Sequence, residues 1–202
     1  MKQALFLLPR LHLSIQEEKS LNDRPLLQRS FSLSLANCDL SWEKINRIHN
    51  GPKSIFAFEY SNLLSSQYRM QGWLSDGYST KNGSSSIAHY STPYHYTPFG
   101  IGVKHTVPLT EKINLNIGAG ALVSMLRIRS NSPLIEQVVI RWDCGTIIKT
   151  QLEYTLATDF FIGLFADCVY QQFRMKYNPE QSGNQVIDFN GAHYGIPFGW
   201  RW

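Results

Sequence analysis

The stretch of residues 89–96 carries the side chains best suited to catalysis. It reads His-Tyr-Ser-Thr-Pro-Tyr-His-Tyr, so that His89, Ser91 and His95 lie close together among hydroxyl groups. A histidine beside a serine can activate the hydroxyl as a nucleophile, and two histidines can begin a metal site. The sequence shows no third metal ligand at a fixed spacing, no phosphate-binding loop and no nucleophile elbow. We therefore keep these three residues as catalytic candidates for an alternative enzymatic role, and we expect neither a metal nor a cofactor.

A second group of reactive side chains consists of charges that alternate with apolar residues. In a β-strand successive side chains point to opposite faces, so these charges belong to the polar faces of their strands. If the strands close into a narrow barrel, charges of both signs meet inside it and should pair, because an unpaired buried charge is costly. We predict a structural polar network in the lumen from Glu59, Arg69, Lys104, Arg141, Asp143, Lys149, Glu153, Asp167 and Arg201.

The elements that position these residues are most evident at residues 99–130, which form two long strands around a tight turn at 110–112. In the first strand the odd positions from Phe99 to Leu109 are apolar except for His105, and the even positions are mostly small or polar. The second strand alternates in the same way from Ile113 to Met125. Both exceed the roughly 5–6 residues that are usual in globular sheets. The pattern predicts a transmembrane β-hairpin with lipid on one side and a polar lumen on the other.

Six further segments alternate similarly, at residues 30–42, 54–61, 67–75, 138–156, 159–174 and 192–202. In the first, the phase changes near Asn37, which predicts a β-bulge followed by Cys38, Leu40 and Trp42 on the outer face. Long loops are expected at residues 43–53, 76–94 and 177–190, a loop of medium length is expected at residues 131–136, and short turns separate the remaining pairs. An even strand count with short turns at one end and longer loops at the other is typical of outer-membrane barrels. We predict an all-β fold: a single antiparallel up-and-down transmembrane β-barrel of about eight strands over residues 30–202.

The composition agrees with a membrane barrel. Of the 202 residues, 43% are apolar and only 17% are charged, which is low for a soluble domain. The net charge of +4 is too small and too scattered to indicate nucleic-acid binding. No apolar run reaches the ~18–20 residues that a membrane helix needs. Aromatic residues near the strand ends should form interfacial girdles, and the candidates are Trp142, Tyr154, Tyr170, Trp200 and Trp202.

Residues 1–29 precede the barrel and have a different character. Lys2 is followed by an apolar run, as at the start of a signal peptide, but Pro9 and Arg10 interrupt it. No pair of small residues marks a cleavage site downstream. We interpret residues 1–29 as a degenerate signal-like segment or an N-terminal extension.

The C-terminal strand ends in the sequence GIPFGWRW and carries a family resemblance. Its outer face resembles the terminal assembly signal of outer-membrane barrels, with a final aromatic and the alternating residues Tyr194, Ile196, Phe198, Trp200 and Trp202. Together with Phe56-Ala-Phe58-Glu-Tyr60-Ser61, this strand resembles the small outer-membrane β-barrel family common in Bacteroidetes. The resemblance implies the outer membrane of a Gram-negative bacterium, with membrane lipids, lipopolysaccharide and the barrel-assembly machinery as partners, and a monomer. Pro197 lies inside this strand and predicts a local irregularity.

The main functional hypothesis is an integral, porin-like barrel of the cell envelope, whose outer loops carry a structural, adhesive or surface-binding role. One alternative is a hydrolase that modifies outer-leaflet lipids, with His89 or His95 and a serine at the outer rim. The other is a soluble lipocalin-like barrel that binds a ligand, in which the two faces would be reversed. Ile148 and Lys149 distinguish this last alternative, since a soluble barrel would turn Ile148 inward and Lys149 outward.

Overall fold

The computed structural model describes residues 29–40, 53–81, 93–131, 136–157, 159–176 and 184–202. Alternating residues, many of them β-branched or aromatic, fold these ranges into β-strands. The described residues contain β1 (Arg29–Leu40), β2 (Lys53–Ser65), β3 (Met70–Lys81), β4 (Tyr94–Pro108), β5 (Ile113–Asn131), β6 (Glu136–Thr155), β7 (Phe160–Lys176), β8 (Asn184–Asp188) and β9 (Gly191–Arg201). Within these ranges no helix has the length and apolar character needed to cross a membrane.

The strands close into a barrel. Strands β1 to β7 pair with their sequence neighbours, and β9 pairs with both β7 and β1. Strand β8 pairs with residues 172–176 of β7, directly beyond the part of β7 that contacts β9. Because β8 and β9 follow each other along one edge of β7, together they form one side of the wall. The result is a closed eight-stranded antiparallel barrel, which confirms the predicted fold class.

The two ends of the barrel differ in the length of their connections. Short turns at residues 66–69, 109–112 and 156–159 lie at one end, which we call the short-turn end. Both strand termini also meet there, where the amide and carbonyl of Arg29 and Trp202 exchange two backbone hydrogen bonds of 3.0 Å. The strand ends that are joined by residues 41–52, 82–93, 132–135 and 177–183 lie at the opposite end, which we call the long-loop end. Three of these four connections are longer than the four-residue turns, as the sequence predicts, and the fourth, at residues 132–135, has the same length as those turns.

The apolar faces of the strands point outward. Ile148 is 59% exposed and Leu164 is 62% exposed, whereas Glu153 is only 3% exposed. Ile117 and Leu152 also lie on the outside, and Lys149 points into the lumen. This arrangement is the reverse of a lipocalin-type barrel, whose interior is apolar, so the structure contradicts that alternative.

The lumen is packed in layers along its axis. Towards the long-loop end it contains an apolar and aromatic cluster of Ala36, Cys38, Ile55, Tyr94, Tyr96, Leu126, Phe173, Ile187 and Phe189. A second cluster lies next to it and contains Trp73, Leu122, Ile147 and Val169. Charged and polar residues fill the part nearer the short-turn end. An eight-stranded barrel is just wide enough for its own side chains to fill it.

The predicted bulge near Asn37 is wrong. The register between β1 and β2 continues without interruption from Arg29 opposite Asn62 to Cys38 opposite Lys53. Cys38 is therefore buried in the lumen beside Ala36. The polar–apolar alternation is lost here because the lumen itself becomes apolar near the long-loop end.

Two of the loops predicted from the sequence are shorter in the structure, because strands occupy part of each predicted range. Strand β3 continues to Lys81, so only residues 82–93 connect it to β4. Residues 76–81 resemble a loop in composition because several of them are small or polar. In the structure, however, Gly77 faces a crowded part of the lumen. A Cβ atom on Gly77 would lie only 3.2 Å from Pro98 and 3.3 Å from Ile55. The predicted loop at residues 177–190 likewise contains β8, whose pairing with β7 local sequence patterns do not reveal.

Pro197 causes the predicted irregularity on one side of its strand only. The ladder between β9 and β1 runs through it, with Ser34 opposite Pro197. The ladder between β9 and β7 skips two positions, from Ile162 opposite Phe198 to Phe165 opposite Gly195. Proline lacks an amide hydrogen, which accounts for an interrupted ladder at this position.

Candidate functional site

Glu59 is the centre of the charge network in the lumen. Its Oε1 lies 2.7 Å from Nζ of Lys104, and its Oε2 lies 2.5 Å from Nζ of Lys149. The hydroxyl of Ser61 donates a further hydrogen bond of 3.2 Å to Oε1. Because these charged residues belong to β2, β4 and β6, the carboxylate links three separated parts of the barrel wall.

Lys149 extends the network to β7 and to the adjacent aromatic layer. Its Nζ lies 3.8 Å from Oδ2 of Asp167, whose other oxygen accepts the Thr150 amide at 3.2 Å. The same ammonium lies 4.6 Å from the centroid of a Trp73 ring, within the range of a cation–π interaction. Lys149 thus contacts two carboxylates and one aromatic face.

A second ion pair joins β6 to β9. The guanidinium of Arg201 donates to Oε2 of Glu153, and the Gln151 amide donates to Oε1 at 2.8 Å. The guanidinium also lies 4.6 Å from the centroid of the Phe161 ring. With Glu59, Asp167 and Glu153 on one side and Lys104, Lys149 and Arg201 on the other, three acids balance three bases. This balance suits a buried structural network, since each charge has an opposite partner.

Trp73 belongs to the second apolar cluster and lies next to the charge network, and glycines make room for its ring. Gly102 and Gly120 lie opposite each other on β4 and β5, next to the indole. A Cβ atom would lie 2.6 Å from the indole at Gly102, 2.5 Å at Gly120 and 2.8 Å at Gly100. A side chain at any of these three positions would therefore collide with the indole.

A cavity of about 70 Å³ lies in the lumen beside Lys149 and Asp167. Its wall also includes Ser32, Ser34 and His193, together with apolar side chains. In the described part of the chain, no hydrogen-bond partner reaches the buried Nε2 of His193. A cavity of this size has room for a few water molecules, and one beside His193 would satisfy that nitrogen. Within the described ranges, no group of three His, Cys, Asp or Glu side chains is arranged to hold a metal ion.

The other three members of the predicted network lie elsewhere. An Arg141 nitrogen donates to the Ile140 carbonyl at 3.1 Å, and Asp143 accepts the Cys144 amide at 2.7 Å. Arg69 is buried at the β2–β3 turn with a φ of 49°. The structure therefore places Glu59, Lys104, Lys149 and Asp167 in one network and Glu153 in the adjacent ion pair.

Two residues that face the lumen, Tyr96 and His193, were not predicted from the sequence. Tyr96 donates a 3.0 Å hydrogen bond to the Gln171 side chain and stacks on Phe189, with ring centroids 5.0 Å apart. His193 lines the cavity. Both belong to strand faces that alternate with outward residues, and this alternation is the signal that could have identified them.

Of the three rim candidates, only His95 lies within the described residues. His95 lies on the outer face, and its Nδ1 is 2.9 Å from the Tyr78 hydroxyl. In the part of the chain that the structure describes, His95 hydrogen-bonds to neither a serine nor a carboxylate. His89 and Ser91 lie outside the described residues, as do residues 1–28 of the N-terminal segment.

The predicted girdle and assembly-signal residues lie on the outer face. Trp142 and Tyr170 belong to the half nearer the long-loop end, whereas Tyr154, Trp200 and Trp202 lie near the short-turn end. The rings of Trp200 and Trp202 stack with centroids 5.8 Å apart. Alternate residues of the last strand are all exposed, namely Tyr194, Ile196, Phe198, Trp200 and Trp202.

Comparison with solved structures agrees with this geometry. The fold is that of small outer-membrane β-barrel proteins. The chain is similar to OprG from Pseudomonas aeruginosa, with a TM-score of 0.63 and 8% identity over 90% of this chain and 99% of that one. It is also similar to Ail of Yersinia pestis, solved with the heparin analogue sucrose octasulfate (TM-score 0.52, 11% identity, 87% and 97% coverage).

A third similar structure is Neisserial surface protein A, with a TM-score of 0.52 and 9% identity over 87% of this chain and 97% of that one. No protein-family model matches the chain, and no curated protein matches it significantly. At these identities the likeness concerns the fold, and the function has to be argued from the residues of this chain.

Proposed function

We propose that this protein is an integral β-barrel of a Gram-negative outer membrane. The observation that carries the proposal is the orientation of the strand faces, with apolar side chains outside and paired charges inside. Such an outer surface is stable in lipid, and a closed barrel leaves no unpaired strand edge within the bilayer. The short-turn end would then face the periplasm and the long-loop end the exterior.

The role that fits this barrel is structural, adhesive or surface-binding rather than transport through a wide pore. Charges fill one part of the lumen and an apolar cluster fills another. The connections at the long-loop end are therefore the segments best placed to contact partners outside the cell. Ail, which has the same fold, was solved with a heparin analogue, and this supports a surface-binding role here.

Several finer points belong to the same proposal. The exposed, alternating C-terminal strand supports recognition by the barrel-assembly machinery and membership of the Bacteroidetes outer-membrane β-barrel family. The apolar outer surface supports contact with outer-membrane lipids and lipopolysaccharide. We propose that the protein acts as a monomer, since its eight-stranded wall is closed without a second chain.

The proposal can be tested by placing an arginine at different depths of the outer face. Ile148 lies six residues from Trp142 and six from Tyr154, midway between the two girdles. Ile148→Arg should destabilise the barrel in lipid vesicles by about 2–4 kcal/mol, because a charge at the bilayer centre is costly. Leu156→Arg, at an exposed site beside a short turn, should cost only about 0–1 kcal/mol.

Urea titration of the refolded variants in vesicles measures both values. Membrane fractionation and a heat-dependent shift in gel mobility check insertion of the unmodified protein. Equal stability of the two arginine variants, or a fully soluble wild-type protein without detergent, would exclude the membrane assignment.

A further inference from the structure

In the described structure, strand β6 is paired on one side only near the long-loop end. Its ladder with β5 is continuous over almost the whole strand, whereas its ladder with β7 begins only at Gly145, opposite Gln171. Residues 172–176 of β7 pair with β8 on their other side, and within the described ranges they do not pair with β6. We call residues 138–142 of β6 the β6 edge.

The unpaired side of the β6 edge presents the backbone groups of its even-numbered residues. In an antiparallel strand, successive residues direct their N–H and C=O groups to opposite sides. The Thr155 amide donates to the Lys112 carbonyl, next to β5, at 2.8 Å. The Leu156 amide donates to the Phe160 carbonyl of β7 at 2.9 Å. Odd-numbered residues of β6 therefore pair with β5, and even-numbered residues face the side of β7.

Two amides of the β6 edge, those of Ile140 and Trp142, have no hydrogen-bond partner in the part of the chain that the structure describes. Side chains of the same strand satisfy only neighbouring groups. The Asp143 carboxylate accepts the Cys144 amide at 2.7 Å, and the Arg141 guanidinium donates to the Ile140 carbonyl at 3.1 Å. The β6 edge therefore presents backbone donors that a partner molecule can use.

The side chains of the β6 edge suit a further strand. Val138 is 43% exposed and Ile140 is 47% exposed on the outer face. Trp142 is the candidate for the outer girdle, so Val138 and Ile140 lie beyond the girdle towards the long-loop end. β-Branched side chains at alternate positions favour strand pairing. Arg174 of β7 is also exposed, and it places a positive charge beside the space that an added strand would occupy.

An extended polypeptide is the ligand whose chemistry matches these groups. A strand edge with unpaired amides can template another strand, whose carbonyl groups recur on one side every second residue, at about 7 Å. On the basis of the proposed outer-membrane location, which puts the β6 edge outside the cell, we propose that this edge binds an extended segment of a partner protein by strand addition. Apolar side chains of the segment lie beside Val138 and Ile140, and an acidic side chain lies beside Arg174.

The test measures amide hydrogen exchange, resolved by residue with NMR, on the protein refolded in uncharged maltoside micelles. The probe is the peptide Glu-Val-Thr-Val-Thr-Val-Glu with blocked termini. Its control is the same peptide N-methylated at every central amide, which keeps the side chains and removes the hydrogen-bond donors. The matched protein variants are Ile140→Pro, which removes the amide, and Ile140→Ala, which retains it.

Without peptide, the Ile140 and Trp142 amides should exchange about tenfold or more faster than the Arg141 amide, which pairs with β5. Saturating peptide should slow both amides to the rate of Arg141, and the N-methylated peptide should have no effect. Followed at the Trp142 amide, Ile140→Pro should weaken peptide binding about tenfold, because proline removes a donor and its ring blocks the approach of a strand. Ile140→Ala and Arg174→Gln should each weaken binding about threefold or less.

Slow exchange of the Ile140 and Trp142 amides in the absence of peptide would overturn the inference, because the edge would already be covered. Equal binding of the N-methylated peptide, or equal affinity of Ile140→Pro and Ile140→Ala, would also overturn it, because the contact would then use side chains alone. Unchanged affinity in Arg174→Gln would exclude the acidic side chain from the proposal.

Gel mobility before and after heating is recorded for each sample. A wild-type protein that shows no heat-dependent shift refutes the membrane barrel itself, whereas a folded barrel whose amides the peptide does not protect refutes only strand addition.

Discussion

Replacing Glu59 with glutamine should strongly destabilise the barrel, because one carboxylate neutralises two buried lysines. The Lys104 side chain is only 6% exposed, and its ion pair in the described structure is with Glu59. Lys149 would retain Asp167, although at 3.8 Å. Breaking a buried ion pair from one side costs about 3–5 kcal/mol, so we expect a loss of that size for Glu59→Gln.

The double variant Glu59→Gln/Lys104→Met separates the cost of the unpaired charge from that of lost contacts. Methionine fills the volume of the lysine stem without a charge, so this variant should recover roughly half of the loss or more. Asp159→Asn changes an exposed turn residue and should alter the free energy of unfolding by about 0.5 kcal/mol or less.

Urea titration of the refolded proteins in lipid vesicles, followed by tryptophan fluorescence, measures these free energies. The heat-dependent gel shift confirms that each variant has folded before titration. If Glu59→Gln unfolds at the same urea concentration as the wild-type protein, the lysines are not held by this carboxylate. If the double variant is no more stable than the single one, the unpaired lysine is not the source of the loss.

Two further predictions concern the glycines beside the Trp73 ring and the C-terminal residue. Gly100→Ala should destabilise the barrel by about 1–3 kcal/mol, since the added Cβ would lie 2.7 Å from Oγ of Ser75 and 2.8 Å from the indole of Trp73. The loss should be smaller in a Trp73→Leu background, which removes the second contact. Gly120→Ala should not be rescued, because its Cβ would also lie 2.3 Å from a backbone oxygen; urea titration of the two double variants compares them. Trp202→Ala should reduce outer-membrane assembly in cells but leave refolding in detergent largely intact, and an equal loss in both assays would identify Trp202 as a packing residue.

The strand faces could be predicted from the sequence because lipid and lumen impose opposite demands on neighbouring residues. A shift of one position would move every apolar residue of a strand into the lumen, so the alternation specifies the outer face. This is why Ile148 and Lys149 lie on the sides that the sequence indicates. The short turn at residues 110–112 was likewise predictable from a local signal.

The alternation fails as a guide where the lumen is apolar or crowded. Cys38 faces inward because the lumen near the long-loop end is lined by apolar residues, so polarity no longer separates the two faces. Gly77 belongs to a strand although the composition around it suggests a loop, and a larger residue there would crowd Pro98 and Ile55 on the two adjacent strands. Both features depend on what lies opposite, which a single strand does not reveal.

The sequence by itself determined the outside of this protein, and the tertiary structure decided the inside. Local alternation is enough to select the face that contacts lipid. The pairing of Glu59 with Lys104 and Lys149 joins residues 45 and 90 positions apart, and only closure of the barrel and the strand registers bring them together. The same closure leaves Arg141 and Asp143 outside the network, although their strand pattern resembles that of Lys149.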